Sequence, residues 1–109
     1  QAPRVLFRTG SFPDPQNWVS DFLALSPELV NELAEKGVIL VGIDTPSIDP
    51  ADCKELLSHQ AVAKHKMAIL EGLILEEVPE GVYELVALPL RWQGAEASPV
   101  RAVLRPLSL

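Results

Sequence analysis

Apolar residues occur along the chain in short runs, separated by polar segments rich in proline, glycine and acidic residues. Two runs, residues 38–43 and 67–70, are almost continuously apolar, which is typical of strands covered on both faces. Three other segments are enriched in β-forming residues and end at turn residues. The five segments predicted to be β-strands are residues 4–10, 38–43, 67–70, 82–90 and 100–105.

The clearest helix signal lies between the first two strands, over residues 26–37. Ser26 is a favourable N-cap, and Pro27 suits the first helical position because its missing N–H would have no helical partner there. Gly37 suits the left-handed residue beyond the end of a helix. This segment is therefore predicted to be the crossover helix of a β-α-β unit.

A second helix is predicted to begin at His59, with Ser58 as its cap and a polar, helical approach over residues 51–57. His59 and His65 are six residues apart, which separates them by about 120° around a helix. The two rings are therefore not expected to share one metal. His65 is expected at the surface or at the helix end, where the helix dipole would favour its charged form.

Together these elements indicate an α/β fold with a mixed sheet of about five strands and two or three helices. The length of 109 residues and the 48% content of hydrophobic residues suit a single domain with its own core. The chain begins with Gln1 rather than methionine and enters a strand almost at once. We therefore expect residues 1–109 to be one portion of a larger domain.

Two carboxylates stand at the carboxyl ends of the apolar strands. Glu71 directly follows residues 67–70, and Asp44 directly follows residues 38–43. Ligands collect beyond the carboxyl ends of strands in open α/β sheets, and a carboxylate there needs a cation, hydrogen bonds or a proton. A helix followed by a returning strand can bring His59 to the same end of the sheet. The central hypothesis is that His59 and Glu71 are two ligands of a metal.

Structural interpretations of the same residues stay open at this point. Asp44 and Asp49 are typical turn-capping residues, because aspartate before such loops commonly bonds its own backbone. A histidine with satisfied hydrogen bonds and a carboxylate paired to lysine or arginine would equally account for His59 and Glu71. Two protein ligands alone do not hold a catalytic zinc, which usually has three plus water.

Two aromatic residues form a further candidate feature. Trp18 and Phe22 stand four residues apart, a spacing at which they could pack as a helical pair or line a pocket. Aromatic side chains are highly buried on average, so a place in the core is the simpler interpretation of both rings.

The charge of the chain argues against two classes of partner. The formal net charge is -6 and the pI is near 4.8, whereas surfaces for nucleic acid or anionic membranes need clustered lysine and arginine. No apolar run approaches the roughly 20 residues that cross a bilayer. The single cysteine, Cys53, cannot form an internal disulfide, which suits a cytoplasmic location.

Four phrases carry a resemblance to a known family. Residues 41–47, 68–73, 79–90 and 97–104 read VGIDTPS, AILEGL, PEGVYELVALPL and ASPVRAVL. With His59, they resemble the C-terminal half of bacterial kynurenine formamidases, within the cyclase-like family of metal-dependent hydrolases. The resemblance implies an α/β fold, a divalent metal with zinc as first choice, and a homodimer. It also implies hydrolysis of N-formyl-L-kynurenine to L-kynurenine and formate, a step of tryptophan degradation.

The resemblance implies roles for individual residues as well. In that family the late histidine and the glutamate of the ILEG phrase are metal ligands, and they match His59 and Glu71. Other residues are candidates for contacts with the substrate or with the metal ligands. These are Asp44, Ser47, Trp18 and Phe22.

Two features depart from the family pattern. The signature His-x-Gly-Thr-His-x-Asp, which supplies most metal ligands and the general base, is not in this chain. The resemblance therefore implies an N-terminal portion of the same protein that carries it. Close relatives have a second histidine where this chain has Gln60. Two alternatives are a non-catalytic binding or scaffold fragment, and a hydrolase of the same family that acts on another amide or lactam.

Overall fold

The computed structural model describes residues 2–107, and this part of the chain contains two α-helices and five β-strands. The elements are β1 (Arg4–Phe7), α1 (Pro27–Glu35), β2 (Leu40–Ile43), α2 (Leu57–Lys64), β3 (Ala68–Leu70), β4 (Tyr83–Pro89) and β5 (Val100–Pro106). The chain divides into two compact units, Gln1–Val78 and Pro79–Leu109. The predicted α/β class and the predicted number of strands and helices are confirmed.

The first unit is built on a parallel sheet with the strand order β1-β2-β3. In register, Val5 lies opposite Val41 and Val41 lies opposite Ile69. Helix α1 connects the first pair of strands and α2 connects the second pair. The three strands therefore run in one direction, and their carboxyl ends, followed by Arg8, Asp44 and Glu71, lie along one edge of the sheet.

The core of this unit lies between the sheet and the two helices. Val41 and Ile43 of β2 are fully buried and pack in one cluster with residues of both helices. The buried members of this cluster are Leu25, Val30, Val38, Val41, Ile43, Ile48, Ala61 and Val62. Gly42 points to the opposite face, where a Cβ would lie 2.4 Å from Cδ2 of Leu6. The central strand can therefore hold only glycine here without a shift of its neighbours.

Helix α1 has the ends that the sequence predicts. The Ser26 hydroxyl accepts a hydrogen bond from the Leu29 N–H at 3.1 Å, and Pro27 is the first helical residue. Gly37 lies beyond the C-terminus with φ of 89°, a left-handed conformation that glycine adopts without steric cost. The following strand β2 begins at Leu40, two residues later than predicted.

Helix α2 departs from the prediction at its start. It begins at Leu57, and its N-cap residue is Leu56, in a left-handed conformation with φ of 52° and no side-chain cap. The prediction of Ser58 as cap and His59 as first residue was therefore wrong, and residues 51–56, predicted with Leu57 as a helical approach, form turns and bends instead. The physical reason is that the first turn is capped from outside the helix, by the Asp49 carboxylate described below.

The second unit is an antiparallel pair of strands, β4 and β5. Val86 lies opposite Val103, and Glu84 forms an ion pair with Arg105 at 2.6 Å. Several large apolar side chains of this unit are exposed: Val82, Val86, Leu88, Leu90, Trp92, Val100, Val103 and Leu107. The five strands of the described residues thus belong to two sheets rather than to one. Neither of the two short helices is long and apolar enough to cross a membrane.

Candidate functional site

His59 and Glu71 meet at the carboxyl edge of the parallel sheet. Glu71 directly follows β3, and His59 is the third residue of α2. The Nε2 atom of His59 lies 3.1 Å from Oε2 of Glu71. Both side chains are about 30% exposed, so the pair faces an accessible space rather than the closed core. The structure thus brings together the two residues that the sequence singles out as candidate metal ligands.

The other nitrogen of the His59 ring is bound by a buried carboxylate. Oδ2 of Asp49 lies 2.7 Å from Nδ1 of His59 and accepts the main-chain N–H of the same residue at 2.9 Å. Oδ1 of Asp49 accepts the Ser58 N–H at 2.9 Å. These two N–H groups belong to the first turn of α2, where no helical partner exists. Asp49 therefore caps the helix and contacts the His59 ring at the same time.

The Asp49 carboxyl is 1% exposed. Burial raises its pKa. Hydrogen bonds from the His59 ring and from the Ser58 and His59 N–H groups lower the pKa, as does the charge of His59, and together they outweigh burial. The net pKa of Asp49 is therefore below its ordinary value. The group is an ionised carboxylate at neutral pH, and as such it can only accept hydrogen bonds.

The loop after β2 also fixes Glu71. The Ile48 N–H donates to Oε2 of Glu71 at 2.9 Å, and the Ile48 carbonyl accepts the Leu25 N–H at 2.9 Å. The Ile48 side chain is fully buried, which anchors this part of the loop. The Ser47 hydroxyl accepts the Asp49 N–H at 3.1 Å. Ser47 thus acts on the loop backbone, and it makes no hydrogen bond to the His59 ring or to the Glu71 carboxylate.

The arrangement has an electrostatic consequence. Asp49 can only accept, so the Nδ1 atom of His59 carries the proton of a neutral ring, and Nε2 then presents a lone pair to a carboxylate oxygen of Glu71. Two acceptors at 3.1 Å repel unless a proton or a cation lies between them. The site can therefore hold a proton, as an imidazolium, or a cation bound to both atoms.

Residues 2–107 contain no cluster of three or more histidine, cysteine, aspartate or glutamate side chains arranged around one ion position. Asp49 does not add a third ligand, because it lies on the opposite ring nitrogen from Glu71. Within this part of the chain, His59 and Glu71 are therefore a pair of donors and not a complete metal site.

Asp44 forms a separate cluster at the same edge of the sheet. Its carboxylate accepts the Thr9 and Gly10 N–H groups at 3.0–3.1 Å and the Thr9 hydroxyl at 2.7 Å. These bonds fix the chain where it leaves β1. Asp44 makes no hydrogen bond to His59 or Glu71. The backbone groups that it binds belong to Thr9 and Gly10, at the end of β1, rather than to its own turn as the turn-capping interpretation expects.

Trp18 and Phe22 lie in an irregular segment rather than on a helix. Their ring centroids are 5.8 Å apart, and both rings pack edge-to-face against Phe12 at 5.8 and 6.0 Å. Phe22 is buried, whereas Trp18 is 64% exposed. The prediction of a helical pair was wrong, because the backbone of this segment is not helical. The two rings nevertheless contact each other.

A cavity of about 510 Å³ opens at the carboxyl edge of the parallel sheet, and neither His59 nor Glu71 is among its lining residues. It lies among the segments that follow the three parallel strands, between Gly10, Asp44 and Gly72. Its wall is largely apolar, with Phe12 and Leu73 among the lining residues, and Arg8 and Glu76 are its charged members besides Asp44. This volume lies in the range of pockets that take small organic molecules, roughly 300–1,000 Å³.

The two remaining polar candidates lie away from the pair. His65 is the C-cap of α2, and its Nε2 atom lies 2.9 Å from the Asn31 side-chain oxygen of α1, so its predicted place at the helix end is confirmed. The Gln60 side chain donates to the Glu55 carbonyl at 2.6 Å and is exposed. Gln60 therefore stabilises the turn before α2 and does not face the site.

The functional group that the sequence did not assign is Asp49. The sequence indicates Asp49 only as a cap of its own loop, because nothing in the pattern links it to a ring ten residues later. The available signal is indirect: Asp49 lies shortly before the start of α2, where it could cap the helix and bind the His59 ring. An aspartate upstream of such a helix start is a candidate for both tasks.

The chain is similar to a known family model and to known proteins. Residues 2–50 match the family model described as "Putative cyclase". The chain is 57% identical over 106 residues to the kynurenine formamidases of Bordetella pertussis and Bordetella bronchiseptica. The match covers 97% of this chain and 51% of each relative. The resemblance indicated by the sequence phrases is confirmed, and the chain spans about half the length of the curated relatives it matches.

Solved structures give the same result for the fold. A protein from Bacillus stearothermophilus described as a "predicted metal-dependent hydrolase" matches with a TM-score of 0.80 and 33% identity. The match covers 91% of this chain and 47% of that one. A second, described as a "potential metal-dependent hydrolase with cyclase activity", matches with a TM-score of 0.80 and 32% identity. This second match covers 91% of this chain and 48% of the other protein.

Proposed function

We propose that this chain is the C-terminal portion of a metal-dependent amidase that hydrolyses N-formyl-L-kynurenine to L-kynurenine and formate. In this proposal His59 and Glu71 are two of the ligands of a divalent metal, with zinc as first choice. The observation that carries it is the 3.1 Å approach of His59 Nε2 to a Glu71 carboxylate oxygen, with the other ring nitrogen bound to Asp49. The 57% identity to kynurenine formamidases over 97% of the chain supports the choice of substrate.

The two donors fit a metal of this kind. Imidazole nitrogen and carboxylate oxygen bind zinc at about 2.0–2.2 Å, so two tetrahedral ligands lie roughly 3.3 Å apart. The observed separation of 3.1 Å is close to that value. The donors are preorganised, because the Ile48 N–H holds the Glu71 oxygen and Asp49 holds the ring. A cation also removes the repulsion between the two facing acceptors.

A complete centre requires further ligands. A catalytic zinc usually has three protein ligands and an open position, and residues 2–107 offer two donors at this point. The relatives are about twice as long as this chain. We infer that the remaining ligands and the proton-transferring group come from an N-terminal portion of the same protein, as the family resemblance implies.

The chemistry of the reaction assigns tasks to the residues of this chain. Hydrolysis adds the oxygen of water to the formyl carbon and a proton to the aryl nitrogen while the carbon–nitrogen bond breaks. A bound divalent metal supplies Lewis acidity, which polarises an amide carbonyl and makes water a nucleophile near neutral pH. His59 and Glu71 hold that ion in place, and the loop at Ile48 keeps the Glu71 carboxylate in position.

The cavity at the carboxyl edge of the sheet, lined by Gly72 next to Glu71 in the chain, is the proposed place for the aryl amino acid. Its largely apolar wall suits an aromatic ring, and Arg8 at its rim supplies a positive charge for a carboxylate. Phe12 lines this cavity, and Trp18 and Phe22 pack edge-to-face against the Phe12 ring without lining the cavity themselves. The buried Phe22 therefore acts through Phe12 rather than by stacking on the substrate. Asp44 and Ser47 act on the backbone of the surrounding loops.

The test is metal content together with turnover of N-formyl-L-kynurenine by the complete purified protein, with formate release measured independently. We expect stoichiometric metal and turnover. Glu71→Gln should bind the metal more weakly and lose most of its turnover. Glu77→Gln is the matched control, because Glu77 is exposed and lies outside the proposed site, and it should behave like the unchanged protein.

Other outcomes would decide between the alternatives. Bound metal with hydrolysis of a different amide or lactam would identify another hydrolase of the same family. Neither metal nor turnover would leave a non-catalytic binding or scaffold protein. The resemblance further suggests a cytoplasmic homodimer. Sedimentation of the complete protein at micromolar concentration tests the oligomeric state, and a monomer would contradict the proposed dimer.

A further inference from the structure

We propose that Asp49 is the positioning residue of the metal site: its carboxylate holds the His59 ring so that Nε2, facing Glu71, is the donor atom. This inference rests on the proposed function for the identity of the metal. It concerns a residue that neither the sequence phrases nor the family resemblance assigns to the site. Three hydrogen bonds of Asp49 and the burial of its carboxylate support this role.

The first step is the orientation of the ring. Oδ2 of Asp49 accepts the main-chain N–H of His59 at 2.9 Å and lies 2.7 Å from the ring Nδ1. The backbone and the side chain of one residue are thus joined to a single oxygen atom. This closes a small hydrogen-bonded ring that leaves the imidazole little freedom to rotate, and it directs Nε2 toward Glu71.

The second step is the position of the proton on the ring. An ionised carboxylate accepts hydrogen bonds and cannot donate one, so Nδ1 must carry a hydrogen. In a neutral imidazole the remaining nitrogen then has the free lone pair that a metal needs. Metal-binding histidines generally have such a partner on the other nitrogen, and its loss typically weakens metal binding about 10–100-fold.

A purely structural role for Asp49 is the alternative. Helix α2 has no side-chain cap at Leu56, and the Asp49 bonds to the Ser58 and His59 N–H groups would by themselves explain an acidic residue there. Capping requires no contact with the ring, however. The bond to Nδ1, at 2.7 Å, is the shortest of the three. The test must therefore separate the contact with the ring from the stability of the helix.

The first measurement uses the complete protein without metal, at a pH at which the His59 ring is neutral. Long-range ¹H–¹⁵N correlation spectra report which ring nitrogen carries the proton, and the His59→Gln variant assigns the signals. We expect the proton on Nδ1. A ring protonated on Nε2 instead would overturn the inference. This readout needs no catalysis and no bound metal, so it decides on Asp49 even if the protein binds no metal and the proposed function fails.

The second measurement is zinc affinity, determined by competition with a chromophoric chelator. Asp49→Asn and Asp49→Ala should both bind zinc about 10–100-fold more weakly than the unchanged protein. Ser58→Ala is the control, because it removes the hydrogen bond from the buried Ser58 hydroxyl to the Leu25 carbonyl. It weakens the same turn of the helix without touching the His59 ring, and its zinc affinity should not change.

Two results of this comparison would overturn the inference. Unchanged zinc affinity in both Asp49 variants would mean that the ring needs no carboxylate. An equal loss in Ser58→Ala would mean that the effect belongs to the stability of the helix turn. The Asn variant guards against the possibility that the Ala variant fails to fold, because asparagine is as good a helix cap as aspartate.

Discussion

Replacing Gly42 by alanine would test how closely the centre of the parallel sheet is packed. A Cβ at this position would lie 2.4 Å from Cδ2 of Leu6 and 2.9 Å from Cδ1 of Leu73. Carbon atoms in favourable contact are about 3.5 Å or more apart. The added methyl group would therefore overlap Leu6 by about 1.1 Å and Leu73 by about 0.6 Å. Both side chains would have to leave their present positions.

The size of the effect follows from two opposing terms. Forcing an extra methyl group into a packed site typically costs about 1–3 kcal/mol. Replacing glycine by alanine within a strand recovers roughly 0.5–1 kcal/mol, because the unfolded chain loses freedom. The expected net loss in the free energy of unfolding is therefore about 1–2 kcal/mol. Leu73 lies two residues beyond Glu71, so the same shift would disturb the chain next to the candidate site.

Urea unfolding of the complete protein, followed by circular dichroism, would measure this loss, and a double-mutant cycle would identify its cause. Leu6→Ala removes the group that meets the new methyl, so it should cost less in the Gly42→Ala background than alone. We expect a coupling energy of about 1 kcal/mol or more between the two changes. Additivity within about 0.5 kcal/mol, or a Gly42→Ala protein of unchanged stability, would refute the packing argument.

Three other predictions concern separate parts of the molecule. The pKa of Asp49 is lowered by folding, so its ionised form stabilises the fold above about pH 4 and this contribution is lost as the pH falls through the folded-state pKa. Stability should accordingly fall more steeply below about pH 4 in the unchanged protein than in Asp49→Asn, and parallel acid titrations would contradict this. Ser26→Ala should lower the free energy of unfolding by about 1 kcal/mol, because the Leu29 N–H loses its acceptor; an effect near zero in urea unfolding would show that water replaces the cap. In the 109-residue chain alone, amide protons of β4 and β5 should exchange much faster than those of β2, since a two-stranded hairpin is marginally stable; equal protection by hydrogen-exchange mass spectrometry would argue against this.

The parts of the fold that the sequence predicted are those set by local chemistry. Ser26, Pro27 and Gly37 mark the ends of α1 because capping and left-handed conformations depend on neighbouring residues. Continuous apolar runs located β2 and β3, because strands covered on both faces need no polar alternation. The same rules failed at the start of α2. There the caps come from Asp49, eight residues before the first helical residue, and no local pattern encodes that contact.

In the candidate site, too, features set by the local sequence were predicted and features set by distant contacts were not. Glu71 could be placed at the edge of the sheet because a strand ends there, and His59 because a helix leads back to that edge. The pairing of strands into two sheets, the loop path that brings Ile48 to Glu71, and the role of Asp49 all depend on contacts between distant parts of the chain. The sequence therefore identified the two facing donors and missed the groups that hold them in place.

The local origin of the site has a consequence for the entropy of ligand binding. Asp49, His59 and Glu71 lie within a single stretch of 23 residues. The groups that hold them, which are the Ser58 N–H, the Asp49 carboxylate and the Ile48 N–H, belong to that stretch or directly precede it. Fixing a residue costs about 1–2 kcal/mol of conformational entropy, and here this cost is met when α2 docks on the sheet. An ion that arrives later would find these donors already ordered, so this part of the chain would lose little further freedom on binding.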